Sequence, residues 1–529
     1  MPKKRKQPLP GHDSPSRTVR RTYRIPSWFP WAVAGVYLAV MTYLTVRHHR
    51  IGGFGVETDF YAELVPQARA LLRGEFSPEL YGTKGPVYSI ILAIIYLFIR
   101  EYFFAGLVIN FIGAAVFLVT GYYLIKTVFN TITAVFFIIA AAGNFIFQTY
   151  TYQAGTDMPF MAFSMLSLLF MFRDDTIRSL VLSALFALLA FLTRYNGAFL
   201  IAGAILTIFL TGHFRAEGLK RLGIWLGVFV LAGLPWFIPN WIATGNPVNN
   251  GNYINVLLEF YGFSSEQFDY ENWTEIVPQG IDSFGDVIMH DPVYFAGRFL
   301  SNIGSHFLLD LRDLIGIRIA VLTVIGIVLF FFAHPDRRKL LYLSFGAFYF
   351  LILALVFYNA RFSLTLIAFY LPVSVWPLTS VRFLPRNRWF SIACGTAIFA
   401  LTASVAATSL MAVHRDITSP YPQLANMRLL GLSLGEIESD PHQKVCAREP
   451  HIAYYAGLIP RMMPSQIETV EDLVAFCREQ EIRYIAYTSI EYSVRPQFQA
   501  LWESRSNSFP GLEPVTANRA GLVFRVTEP

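Results

Sequence analysis

Two carboxylates, Glu57 and Asp59, stand two residues apart in GVETDFYAELVPQARALLRGEF, and a cation, Lys84, closes the same stretch in KGPVYS. The stretch follows the first long apolar run of the chain, so its charges sit at a membrane face. Charged groups there are costly to desolvate and mark a site by default. A carboxylate pair can share a divalent ion with a substrate phosphate, or one member can act as general base toward an acceptor hydroxyl. The competing reading is a solvated acidic loop. A base near a cation suits chemistry on a phosphate carried by a membrane lipid.

Three further charges fit that chemistry. Asp157, in TYTYQAGTDMPF, precedes an apolar run that opens Met158-Pro159; an acid in that place also complements a helix macrodipole. Arg194, with Asn196, lies in LLAFLTRYNGAFL between two apolar runs with almost no loop, and Arg361 occupies a similar turn in VFYNARFSL. Each arginine alone reads as a side chain snorkelling to the surface. Together with Lys84 they read as an anion site, because guanidinium matches phosphate bidentately. The chain contains no Walker loop, zinc-type His/Cys cluster, Gly-x-Ser-x-Gly elbow or dinucleotide fingerprint. His48 and His49, beside the first apolar run, read as interfacial.

A bundle of membrane helices must position these residues. Of 529 residues, 54% are hydrophobic and 15% charged, against roughly 25% charged in soluble domains. A crossing helix needs about 20 apolar residues. Segments that meet or approach this lie at 28–46, 102–125, 129–148, 158–172, 179–193, 196–212, 222–243, 313–333, 339–358, 361–380 and 389–412. The shorter run 86–99 decides sidedness. If it lies along the interface, five basic clusters share the side of the N-terminal tail: Lys126, Arg173/Arg178, Arg215–Lys220–Arg221, HPDRRK at 334–339 and Arg382–Arg386–Arg388. If it crosses, all five change sides. The positive-inside rule selects the first arrangement, with eleven spans and a cytoplasmic N-terminus. Glu57, Asp59, Lys84, Asp157, Arg194, Asn196, the loop 244–312 and Arg361 then all face outside.

The expected fold is a polytopic α-helical membrane protein with a small C-terminal α/β unit. Its parts are a basic cytoplasmic tail 1–27, a membrane module 28–412 with outer loops 47–101 and 244–312, and a soluble extracytoplasmic unit 413–529. The net charge of +6 comes largely from the tail, where Lys3, Lys4, Arg5, Lys6, Arg17, Arg20, Arg21 and Arg24 face one acid, Asp13. That tail reads as an anchor for the first helix and not as a nucleic-acid contact. In the C-terminal unit KVCAR, IRYIAYT and LVFRV read as strands and TVEDLVAFCREQE as a helix capped by Thr469. Cys394 falls in a span, whereas Cys446 and Cys477 in the unit could pair. Asn272-Trp273-Thr274 is a glycosylation sequon in an outer loop. No internal repeat is evident, so the signature of many transporters is missing.

The order of these motifs resembles that of the GT-C-fold glycosyltransferases, in particular the protein mannosyltransferase and aminoarabinose transferase branch that uses polyprenyl-phosphate sugars. The likeness runs loosely over residues 28–529. It rests on TDFYAELVPQARALLRG, Lys84-Gly85-Pro86, Thr156-Asp157-Met158-Pro159, LTRYNG, PWFIPNWIATGNP and NARFSL. It implies Asp59 as acceptor-side base with Glu57 as its neighbour. It places Lys84, Arg194 and Arg361 against the lipid phosphate, Asp157 in the same cavity, and Tyr61 and Asn196 as further substrate contacts. Two departures stand out. Thr58 separates an acidic pair that is adjacent in the family, leaving open which member is the base, and Lys84 is followed by Gly85 where the family has proline. The stretch TYTYQAGTD is thinly acidic for a metal-dependent oligosaccharyltransferase, so no metal or other cofactor is expected.

The function so implied is inverting transfer of a sugar from a polyprenyl-phosphate donor to a protein, lipid or glycan acceptor. It would take place on the extracytoplasmic face of a bacterial inner membrane, with membrane lipid and no nucleic acid as partners. The competing class is a transporter or flippase of a lipid-linked or anionic solute. Scarce mid-span charge, the missing repeat and the large C-terminal unit weigh against it.

Overall fold

The computed structural model describes residues 25–212, 215–261, 280–380, 388–419, 422–464, 467–503 and 509–527. The basic tail, the sequon at Asn272, and Arg382 and Arg386 lie outside the described residues.

Every one of the eleven apolar runs is helical. Among the described residues, Phe29–His48, Tyr102–Val128, Ala216–Thr244, Phe362–Ser380 and Ile392–Thr418 are long and apolar enough to cross a bilayer. A sixth candidate is the pair Thr131–Ala142 and Phe145–Tyr152, bent by 56°. The bend has a local cause. Asn144 leaves the helical ladder and caps the second helix, accepting from the Phe147 amide at 2.9 Å and donating to the Leu314 carbonyl at 2.6 Å. The chain is an integral membrane protein, with a core of helices packed through aromatic and aliphatic side chains.

Helix Tyr102–Val128 is the central post, buried over much of its length against helix Asp157–Arg173. The approach is close because Gly113 has no side chain: a Cβ there would come within 2.7 Å of the Met158 backbone. That crossing fixes where Asp157, the next residue back, begins its helix.

Helix Val87–Ile99 is one of the shorter apolar helices. Its 13 residues extend about 20 Å, short of the roughly 30 Å hydrocarbon core. Lys84, just before its start, meets Asp59, and Glu101, just after its end, accepts from the Tyr454 hydroxyl at 2.9 Å. Both of its ends therefore lie at the same end of the molecule. Basic turns collect at another place: Arg221 pairs with Asp175 at 3.2 Å, Arg337 donates to the Leu210 carbonyl and Arg338 to that of Phe172.

Helix Arg388–Thr418 runs past the boundary expected at residue 413 before the C-terminal unit begins. That unit holds five strands: β1 Lys444–Ala447, β2 Ile459–Met462, β3 Tyr484–Thr488, β4 Leu512–Ala517 and β5 Gly521–Val526. The sheet order is β2-β1-β3-β5-β4, with the first three parallel and β5 antiparallel to both neighbours. All five residues of β3 are buried, as a strand covered on both faces requires. Helix Val470–Glu479 starts at Thr469, whose hydroxyl accepts from the Asp472 amide at 3.1 Å. Cys446 and Cys477 are buried free thiols, and Cys394 is also free.

Candidate active site

The site is built on a turn that glycine makes possible. Gly55 has φ +81°, a conformation costly for residues with a Cβ. Its carbonyl receives the amides of Thr58 at 3.1 Å and Asp59 at 3.4 Å. The turn Val56–Asp59 passes through one π-helical turn, Phe60–Leu64, into helix Val65–Leu72. Residues four apart on such a segment share a face, so Asp59 and Glu63 point together. Lys84 Nζ lies 3.5 Å from Asp59 Oδ2 and 3.0 Å from Glu63 Oε2.

Lys84 reaches this position because Gly85 packs on the backbone of Leu192, with no room for a Cβ between them. The glycine that departs from the family pattern thus brings the loop down onto the end of helix Ile177–Thr193, next to Arg194. Arg194 Nη1 lies 2.6 Å from Asp157 Oδ1, and Arg361 Nε 2.8 Å from Asp157 Oδ2. Arg361 Nη1 also stands 3.8 Å from Asp59 Oδ2. Three carboxylates and three cations form one network.

The network is layered. Asp59 and Glu63 are 42% and 41% exposed, whereas Lys84 is 15%, Arg194 and Arg361 each 11%, and Asp157 6%. The carboxylates at the mouth can meet an incoming group, and the cations lie beneath them. Burial opposes the charge on Lys84, but Asp59 and Glu63 outweigh it and raise its pKa. Arg361 behaves alike: burial works against its charge, and Asp157 and Asp59 hold it above the ordinary value. Both therefore stay charged at any physiological pH. Arg194 lies over the Phe362 ring at 5.5 Å and Arg361 over that of Tyr150 at 5.9 Å, so each guanidinium is held in place by an aromatic face.

Of the expected site residues, Asp59, Lys84, Asp157, Arg194 and Arg361 come together, Asn196 stands beside them, and Glu57 and Tyr61 are turned elsewhere. Glu57 is turned away from Asp59 and is only 1% exposed. It accepts from His49 Nε2 at 2.9 Å, the Gly53 amide at 2.5 Å and the Ala154 amide at 2.9 Å. Residues two apart on a helical turn do not face each other, so Glu57 braces the loop from the side opposite Asp59. Its partner His49 is correspondingly a structural ligand and not merely interfacial. Tyr61 is 1% exposed. Its hydroxyl accepts from the Gly52 amide at 2.9 Å, and its ring packs on Tyr454 at 4.4 Å, in the seam with the C-terminal unit. Asn196 is half-buried in the turn after Arg194, with its side chain at the Tyr349 hydroxyl. Glu63 is the member that motif reading missed; its spacing of four from Asp59 on a helical segment was the available signal. Among the described residues, no group of three or more His, Cys, Asp and Glu is placed to hold a metal ion.

The C-terminal unit also reaches this loop. The Thr58 hydroxyl donates to Glu449 Oε2 at 2.9 Å. Burial pushes the Glu449 carboxyl up to about 7; Arg448 and Thr58 oppose the shift, and Glu491 and Asp59 add to it. A raised carboxyl favours the fold below its unfolded pKa, and that advantage is lost as pH rises through the folded value. Glu449→Gln removes the penalty. Its melting temperature relative to wild type is expected to rise from pH 5 to pH 8, reflecting up to about 3 kcal/mol. His451, pushed down to about 4 by burial, is common to both proteins and cancels in the difference. A difference independent of pH would contradict the buried, raised carboxyl.

Comparison with known proteins supplies the fold. The family model for dolichyl-phosphate-mannose-protein mannosyltransferase matches residues 83–242. No curated protein matches the chain by sequence. Among solved structures, ArnT from Cupriavidus metallidurans bound to undecaprenyl phosphate aligns over 95% of this chain and 98% of its own, with a TM-score of 0.55 and 12% identity. The archaeal oligosaccharyltransferase AglB from Archaeoglobus fulgidus, in complex with an inhibitory peptide and a dolichol-phosphate, aligns over 88% and 70%, with 0.56 and 13%. Arabinofuranosyltransferase AftD from Mycobacteria aligns over 96% of this chain and 41% of its own, with 0.50 and 14%. The chain has the GT-C fold shared by these membrane glycosyltransferases.

Proposed function

We propose that this protein is an inverting glycosyltransferase that moves a sugar from a polyprenyl-phosphate donor to an acceptor on the extracytoplasmic face of a membrane. The observation that carries the reading is an open carboxylate, Asp59, set over less exposed cations that a phosphate can meet. Asp59 takes the proton of the acceptor as its nucleophilic atom attacks the anomeric carbon. The bond from that carbon to the phosphate oxygen breaks, and its electron pair leaves with the polyprenyl phosphate. Lys84 and Arg361 stabilise the charge that develops there, where fixed cations need no reorganisation. Asp157 orients Arg194 and Arg361, and Glu63 shares the load on Lys84. Attack opposite to the leaving phosphate inverts the sugar carbon.

The sidedness in this proposal rests on eleven crossings, with Val87–Ile99 along the interface, and on the positive-inside distribution of short basic turns. A donor on a lipid carrier suits a chain without a nucleotide-binding motif. The reading assigns no resident metal, since Lys84 stands between the two open carboxylates. It leaves the acceptor as protein, lipid or glycan and places the enzyme in a bacterial inner membrane. A flippase needs charged groups along a path between two faces, whereas these gather at one end.

The donor arm is tested by binding. Lys84→Ala removes a charged partner of the phosphate, worth about 1.5–3 kcal/mol. Its dissociation constant for polyprenyl phosphate is expected to rise at least tenfold. Unchanged binding by the folded variant would remove Lys84, and with it the phosphate site, from the account.

A further inference from the structure

The parallel strands β1 and β3 lie side by side, but the chain leaves β1 toward β2 on one flank and returns to β3 on the other. In open α/β sheets the crevice beyond the carboxyl ends of two such strands is where ligands bind. Here the strand ends continue as Arg448-Glu449 and as Thr488–Glu491. Fully buried Glu491 ties them together, accepting from the amides of Arg448 at 2.8 Å, Glu449 at 3.2 Å and Thr488 at 2.9 Å. The crevice is occupied by the chain's own first loop. His451 Nε2 bonds the Gly52 carbonyl at 3.0 Å, the Phe54 ring lies 5.3 Å from that of His451, and Thr58 reaches Glu449.

Three consecutive residues of the loop thus take three directions. Glu57 is tied to the membrane helices through His49 and Ala154. Thr58 is tied to the C-terminal unit, its oxygen also accepting from the Gly55 amide at 3.2 Å. Asp59 alone opens onto the cations. Glu449 itself is faced by Thr58, by Arg448 Nη1 at 3.6 Å and by His451 Nδ1 at 3.6 Å, with Glu491 and Asp59 as the nearby acids.

We propose that the C-terminal unit uses its switch-point crevice to grip the turn that presents Asp59, with Glu449 as a positioning residue acting on Asp59 through Thr58. The unit is then part of the catalytic apparatus, and a turn released from it would present its base in many orientations. The kinetic part of this inference rests on the transferase reading; the grip itself does not.

The test uses the full-length protein in detergent or vesicles, with Glu449→Ala, Glu449→Gln, Thr58→Val, Thr58→Ser and the Thr58→Val/Glu449→Ala double variant. Amide hydrogen exchange at Thr58 and Asp59 is expected to speed up at least tenfold in Glu449→Ala and in Thr58→Val. Glu449→Gln and Thr58→Ser, which keep a side-chain acceptor and a hydroxyl, should restore wild-type protection. With a polyprenyl-phosphate sugar, kcat of Glu449→Ala should fall about tenfold at unchanged KM for the donor, and the double variant should be no slower than the worse single. If Glu449→Ala fails to fold, Thr58→Val, which leaves the unit intact, decides. Wild-type exchange in both, or additive losses in the double variant, would overturn the grip. Absence of donor consumption by wild type would overturn the transferase reading and leave exchange to decide the grip.

Discussion

Asp59→Asn is expected to lower kcat by about 10²–10⁴, the usual contribution of a positioned general base, with donor binding and fold intact. The side chain is 42% exposed, so its replacement by a near-isostere leaves no buried charge behind. Glu63 remains 3.0 Å from Lys84 and keeps that cation in place for the phosphate. Steady-state kinetics with a polyprenyl-phosphate sugar, alongside the same measurement on Glu63→Gln, check the assignment. If Asp59→Asn turns over normally while Glu63→Gln is dead, the base is Glu63, and the spacing of four has simply offered the wrong member.

The largest effect on stability is expected at Asp157. It is buried and pairs with two largely covered guanidiniums at 2.6 and 2.8 Å. Asp157→Ala strands Arg194 and leaves Arg361 only Asp59 at 3.8 Å, and breaking a buried pair in this way costs about 3–5 kcal/mol. An exposed pair such as Arg73–Glu75 is worth less than about 1 kcal/mol, so replacing Glu75 by Ala is the matched control. Thermal unfolding in detergent separates the two cases. A loss at Asp157 no larger than at Glu75 would mean that the arginines find other counter-charges, and that the network does not hold the site together.

Much of this was legible in the chain. Apolar runs of the right length located the helices. Isolated charges in short turns pointed to Asp59, Lys84, Asp157, Arg194 and Arg361, because a charge at a membrane face needs a reason. What sequence proximity obscured was direction. Glu57 looked like the partner of Asp59, but a helical turn sends residues two apart to different sides, and Glu63, one turn on, takes the shared face. Tyr61 looked available to substrate and is instead sealed under Tyr454. The strands KVCAR, IRYIAYT and LVFRV were readable from dense apolar patterning, whereas β2, with Arg461 and no buried alternation, and β4, with Pro514 at a register shift, carry no such pattern. Glu449, in sequence one acid among many in the C-terminal unit, gains meaning only when the switch point is laid against Thr58, 391 residues away.

The most direct test of the central claim follows both parts of the donor. Protein is reconstituted in vesicles carrying a polyprenyl-phosphate sugar labelled in the sugar, with a membrane extract supplying acceptor, and wild type is compared with Asp59→Asn. The account predicts that wild type moves label to acceptor and releases unlabelled polyprenyl phosphate, while Asp59→Asn does neither. Intact labelled lipid appearing in the opposite leaflet, with no polyprenyl phosphate released, would contradict the account and make the protein a transporter of the lipid-linked sugar.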